Sequence, residues 1–154
     1  MLATPQILQT AVQPTAVIHL VVARSDIARH MGPAIGEVLS TLAAQGMTPA
    51  GPVFSLHGRR PSDTFDFEVG VPVAREVLPA GRVRMSRLPA LRVARTTYAG
   101  GYEGLGAAWG QFLAWVEAQG LVAQQGLWEC YVAGPESGPD PANWRTELNL
   151  PLVA

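Results

Sequence analysis

Hydrophobic and polar positions alternate along this chain with two different periods. Thr15 to Ala23 is dense in Val, Ile and Leu and predicts a buried strand. Ile27, Met31, Ile35, Val38 and Leu42 then step by three or four, the period of a helix with one apolar face. Ser25 or Asp26 can cap that helix. Pro33 lies inside the run, so a break is expected there, or a late start with the regular helix beginning near Pro33. Gly46 suits the left-handed residue that ends a helix. Phe65, Phe67, Val69 and Val71 alternate with Asp66, Glu68 and Gly70, which predicts a strand with one apolar face. Farther on, Leu105, Trp109, Phe112 and Val116 form a second helical stripe, stopped by Gly120. Pro72 and Pro151 close the final strand of each half, where a missing N–H matters least.

The two halves resemble each other. Gln13 to Ile18 is similar to Leu88 to Val93, and Met31-Gly32-Pro33 answers Gly100-Gly101-Tyr102. Gly51-Pro52-Val53-Phe54 answers Gly126-Leu127-Trp128-Glu129, and Phe67 to Val73 answers Thr146 to Leu152. Most offsets are about 75 residues. The expectation is a tandem duplication, with repeat one at about 4–76, repeat two at about 80–154, and a junction around Val77 to Gly81. Each repeat reads strand, helix, strand, strand. A module of about 70 residues buries too little surface to be stable alone. The predicted fold is therefore α+β: one antiparallel sheet from both repeats, two main helices on one face, and a ligand cleft at the centre.

Composition narrows the function classes. The chain has 154 residues, 48% of them apolar, and a formal charge of −1. That balance excludes wholesale disorder and argues against a dedicated nucleic-acid binder. No apolar run reaches the ~20 residues of a membrane-spanning helix, and the N-terminus lacks the pattern of a signal peptide. A cytoplasmic location is expected. One cysteine, Cys130, allows neither an internal disulfide framework nor a cysteine-based zinc site. His19, His30 and His57 show no metal-ligand spacing, so no metal and no cofactor are expected.

Trp128-Glu129-Cys130-Tyr131 is the most informative run. On a strand, Glu129 and Tyr131 point to one face and Trp128 and Cys130 to the other. A carboxylate beside a phenol can grip a cation or polarise a ligand. A solvent-facing Glu129 is the plain alternative. Glu68 and Glu147 hold the same place in their repeats and can line a central cleft or lie exposed on their strands. Carboxylates gathered there would repel and raise a pKa. Phe54 answers Glu129 in the first repeat. Tyr98 and Tyr102 flank Gly100-Gly101 at a strand-to-helix turn, and Trp109 belongs to the stripe of the second helix. The predicted ligand-binding set is Glu129, Tyr131, Glu68, Phe54, Tyr98, Tyr102, Trp109 and Glu147. Cys130 reads as a buried, inert thiol.

Several stretches together resemble the GyrI-like small-molecule-binding family, also known as the AraC effector-binding domain, a tandem repeat of the SOUL/SHS2 type. They are Leu88-Pro89-Ala90-Leu91-Arg92-Val93-Ala94, Tyr98-Ala99-Gly100-Gly101-Tyr102-Glu103, Trp128-Glu129-Cys130-Tyr131 and Arg145 to Leu152. The resemblance covers nearly the whole chain and implies two strand-helix-strand-strand modules with a ligand cleft between them. It implies lipophilic, often cationic ligands, with Glu129 at the family's glutamate and Tyr131 at the aromatic position two residues on. Gly101 stands where many members carry Pro. By the same resemblance, this is a stand-alone binder or sensor of small hydrophobic or cationic molecules, related to transcription regulation and multidrug binding. It implies two alternatives. One is a hydrolase of strained, cyclopropane-bearing genotoxins that uses Glu129, with Tyr131 or Tyr98. The other is a gyrase-inhibitory protein with a protein partner. Direct contact with nucleic acid or membrane is not expected.

Overall fold

The computed structural model describes residues 1–153. The strands are β1 (Gln6–Gln9), β2 (Gln13–Ala23), β3 (Phe54–His57), β4 (Thr64–Pro72), β5 (Arg84–Leu88), β6 (Arg92–Ala99), β7 (Leu127–Ala133) and β8 (Arg145–Pro151). The helices are α1 (Ile27–Ala44) and α2 (Leu105–Ala118). The mixed α+β architecture, with antiparallel pairing, is the one that the hydrophobic periods predict. The chain forms two compact units, Ala11–Ala90 and Met1–Thr10 together with Leu91 onward.

In the unit of residues 11–90 the strand order is β5-β2-β4-β3. The β2–β4 ladder runs from Thr15 opposite Pro72 to Ala23 opposite Thr64. Because side chains alternate across a strand, Ala16, Ile18 and Leu20 share a face with Phe67, Val69 and Val71. That face packs against Ala34, Val38 and Leu42 of α1, forming one apolar core. The other face carries Val17 and Gly70, and there the two backbones approach closely. A β-carbon on Gly70 would lie 2.0 Å from the Ala16 carbonyl oxygen.

Two local expectations change. α1 runs without a break from Ile27 and holds Pro33 in its interior. Pro33 lies on the exposed side of the helix, while the apolar stripe on the other side keeps its grip on the sheet, so packing outweighs the one missing N–H donor. Asp26 stands at the N-cap but its side chain makes no capping hydrogen bond; its carboxylate accepts from Arg29 instead. Gly46 and Gly120 do take left-handed backbone after the helices, with φ of 70° and 73°.

The second unit has the order β1-β6-β8-β7. Ala94 and Tyr98 of β6 and Leu148 and Leu150 of β8 pack against Trp109, Phe112 and Val116 of α2. Its edge strand β1 comes from the chain's start and pairs with β6. The edge strand of the first unit, β5, lies past the predicted junction at Val77 to Gly81 and pairs with β2. The first compact unit extends to Ala90, because the ladder with β2 holds β5 in it.

Candidate functional site

β7 builds the site in the second unit. Its register sets Glu129 opposite Leu148 and Tyr131 opposite Thr146, on the face covered by α2. Trp128 and Cys130 point to the other face, as strand alternation requires. Trp109, from the stripe of α2, brings its indole onto the carboxylate. Trp109 Nε1–H donates to Glu129 Oε2 at 2.6 Å, and the Tyr131 hydroxyl donates to Oε1 at 2.8 Å. Each carboxylate oxygen thus accepts from a neutral group. Among the described residues Glu129 forms no ion pair. Burial pushes its pKa above the ordinary carboxylate value, against the pull of the two hydrogen bonds.

Further aromatic rings flank this pair. Tyr102 stands on the short 3-10 turn Tyr102–Gly104 that leads into α2. Its ring meets Tyr131 edge-on, with centroids 5.9 Å apart, and lies 5.2 Å from that of Trp144. Tyr102 remains partly open to solvent, at 38% exposure. Its phenol pKa is raised by burial, then by the charges of Glu136 and Glu129. Trp144 sits after the Gly- and Pro-rich loop that joins β7 to β8, and its indole N–H donates to the Gly138 carbonyl at 3.0 Å. Trp144 is not in the set that the sequence predicts. It belongs to no strand or helix, so no periodicity marks it, and only its aromatic type is a signal.

Of the predicted residues, then, Glu129, Tyr131, Trp109 and Tyr102 come together. Tyr98 belongs to the buried core of the same unit. It is 9% exposed, and its hydroxyl donates to the Gly101 carbonyl at 2.9 Å. It fills the hollow of the turn that presents Tyr102: a β-carbon on Gly100, whose φ is 145°, would lie 2.7 Å from that hydroxyl. Only glycine suits position 100, for both reasons.

The remaining three stand elsewhere, each within its own unit. Glu147 is paired with Cys130 in register, so it projects from the sheet face opposite Glu129. It is held by Arg95 at 3.4 Å and by the Asn149 amide at 3.2 Å. Glu68 lies in the other unit, on the face away from α1. There Arg84 donates to it at 2.7 Å and the Ser86 hydroxyl at 2.6 Å. The clustering of carboxylates expected from their matching sequence places therefore does not arise for Glu147 and Glu129, which an antiparallel pleat keeps on opposite faces. Phe54 shifts as well. Counting from the matching strands β4 and β8, Phe54 stands opposite Gly70 and Trp128 opposite Asn149. Phe54 and Trp128 are each buried on the sheet face away from the helix of their own unit. A slip of one residue exchanges the faces of a strand.

Cys130 is half-buried, and burial raises its thiol to about 12, which leaves it without thiolate character at neutral pH. Among the described residues no three His, Cys, Asp or Glu side chains group to hold a metal ion. No helix is long and apolar enough to cross a membrane.

A partly buried carboxylate under tryptophan and tyrosine rings, satisfied by neutral donors alone, is chemically suited to a cationic or hydrogen-bonding apolar ligand. Comparison with solved structures agrees in fold. The C-terminal domain of EcmrR has a TM-score of 0.84 at 21% identity, with 97% of each chain covered. In the EcmrR–DNA complex the same TM-score and identity hold, but the chain spans only 57% of that longer chain. SAV2435 bound to tetraphenylphosphonium has a TM-score of 0.72 at 13% identity, covering 99% of this chain and 95% of that one. A hydrolase from Listeria innocua has a TM-score of 0.65 at 12% identity, covering 97% and 91%. No curated protein matches the sequence. The model of the GyrI-like small molecule binding domain matches residues 4–153, and the chain accordingly belongs to the GyrI-like small-molecule-binding domain family.

Proposed function

We propose that this domain binds lipophilic cations at Glu129, beneath the rings of Trp109, Tyr131, Tyr102 and Trp144, and acts as a cytoplasmic sensor or sink for them. The observation that carries this reading is the absence of any cationic partner for Glu129 among the described residues, although both of its oxygens are engaged. Removing a carboxylate from water without a counter-charge is costly. An incoming organic cation supplies that charge, and each well-placed ring adds about 0.5–2 kcal/mol of cation–π attraction. The tetraphenylphosphonium held by SAV2435, a protein of the same fold, supports the ligand class.

Cation binding favours the ionised carboxylate, whereas burial favours the protonated form. Affinity for a permanent cation is therefore expected to rise with pH as the proton is displaced. The test is titration of the protein with tetraphenylphosphonium and with neutral triphenylphosphine oxide. Glu129→Gln keeps shape and hydrogen bonding but removes charge. It should weaken the cation by about 1–3 kcal/mol, the scale of a charged hydrogen bond, and leave the neutral ligand nearly unchanged. Equal loss for both ligands, or none for either, rejects the reading.

A hydrolytic use of the same group has one observation in its favour. A carboxyl biased towards its protonated form is what a general acid requires. Incubation with a cyclopropane-bearing electrophile separates the two readings: ring-opened product that disappears in Glu129→Gln marks catalysis, and intact compound marks binding alone.

A further inference from the structure

The unit of residues 11–90 carries a polar pair at the same two strand positions that Glu129 and Tyr131 occupy in theirs. Ser55 stands opposite Val69 and His57 opposite Phe67. Glu129 stands opposite Leu148 and Tyr131 opposite Thr146, which are the matching residues of β8. Ser55 and His57 therefore point to the helix-covered face, as Glu129 and Tyr131 do. His57 Nε2 lies 3.3 Å from the Ser55 hydroxyl oxygen, so this pair is also joined by a hydrogen bond.

The imidazole is enclosed by aromatic rings. It stacks on Phe67 with centroids 5.0 Å apart and planes inclined by 15°, and it meets Phe65 edge-on at 5.8 Å. His57 is 4% exposed, yet its Nδ1 is buried with no hydrogen-bond partner. A buried ring nitrogen without a partner is destabilising unless something from outside the chain satisfies it. His57 is the last residue of β3 and is followed by exposed Gly58.

We propose that His57 and Ser55 form a second small-molecule site, within residues 11–90, that takes an uncharged aromatic alcohol. The chemistry of the pair selects this class. If Nε2 accepts from Ser55, Nδ1 carries the proton and donates; if Nε2 donates, Nδ1 accepts. A hydroxyl meets either demand, because it both donates and accepts. Phe65, only partly buried, offers ring contact to an aromatic body. The imidazole is held neutral by burial, which takes it down to about 4, so no charge at His57 selects an ion at neutral pH. The inference does not depend on the cation site, since it concerns other residues and an uncharged ligand.

Phenol is the probe, with toluene lacking the hydroxyl and cyclohexanol lacking the ring. With histidine nitrogens labelled, phenol at pH 7 should move the His57 Nδ1 resonance saturably and leave the Trp109 indole N–H in place. Ser55→Ala and His57→Phe should each weaken phenol by about tenfold, and toluene and cyclohexanol should bind more weakly than phenol. The Ser55→Ala protein and the unmodified protein keep the test valid should His57→Phe fail to fold. A His57 resonance unmoved by phenol overturns the proposal, as does an equal response to toluene. A shift confined to the Trp109 indole does so too, because it assigns phenol to the other site.

Discussion

Trp109 on α2 and Glu129 on β7 are joined by a 2.6 Å hydrogen bond in which a neutral indole N–H serves a partly buried carboxylate. The bond ties the helix to the strand at the centre of the proposed binding site. It also accounts for how the carboxylate is tolerated without a cation, since Trp109 takes one oxygen and Tyr131 the other. Neutral donors leave the negative charge uncancelled, and the consequences of that charge are measurable.

Stability should rise when the charge at Glu129 is removed. A carboxyl whose folded pKa is raised contributes stability below its ordinary value of 4.5, and that contribution is lost as pH climbs through the raised value. Glu129→Gln can still accept from Trp109 and can donate its amide to the Tyr131 oxygen. At pH 7 the variant should gain about 1 kcal/mol, seen as a thermal midpoint ~2–4 °C higher. At pH 4 the gain should vanish. A midpoint lowered at pH 7 would show that the carboxylate is a net stabiliser.

His57 gives the opposite slope. Its pKa falls from 6.5 to about 4 in the folded protein, mainly through burial, with Asp66 acting weakly against the shift. Between these values the unfolded chain binds a proton that the folded one refuses. Stability is thus complete above pH 6.5 and declines as pH falls towards 4, by at most about 3 kcal/mol. Denaturant titrations across that range should show the decline, and His57→Phe should flatten it. A decline of equal size in the variant would place its origin elsewhere.

Gly70 and Gly101 should respond in opposite directions to added bulk. A β-carbon on Gly70 meets the Ala16 carbonyl oxygen at 2.0 Å and the Val17 Cα at 2.9 Å, all of it backbone in the β2–β4 ladder. Neither strand can move aside without breaking ladder bonds, so Gly70→Ala should cost about 3 kcal/mol.

At Gly101 the backbone already has φ −75° and ψ 160°, within reach of proline. A β-carbon there meets only the carboxylate end of Glu103, an exposed side chain that can swing away. The Gly101 carbonyl keeps its bonds from Tyr98 and from the Gly104 N–H. Gly101→Pro should stabilise the protein by about 0.4–1 kcal/mol through the unfolded chain's lost freedom. Chemical denaturation of both variants checks the pair of signs.

The residues by themselves determined much of this protein. Periods of 3.6 and 2 are local properties, and they set out α1, α2 and the buried strands independently of any tertiary contact. Alternation along Trp128 to Tyr131 likewise placed Glu129 and Tyr131 on one face, because the pleat is a feature of a single strand. Pairing between strands is not local. Similar neighbouring residues match Phe54 with Glu129, but the ladder that sets Phe54 opposite Gly70 turns its side chain to the face away from α1. Glu147 and Glu129 are alike in type, yet the register of β7 and β8 separates them across the sheet. Only the ladder with β2 assigns β5 to the first unit, and only tertiary packing brings Trp144 from an irregular loop against Tyr102. Nor does any pattern in the sequence reveal that His57 lacks a partner at Nδ1, because an unpaired polar atom is defined by everything packed around it.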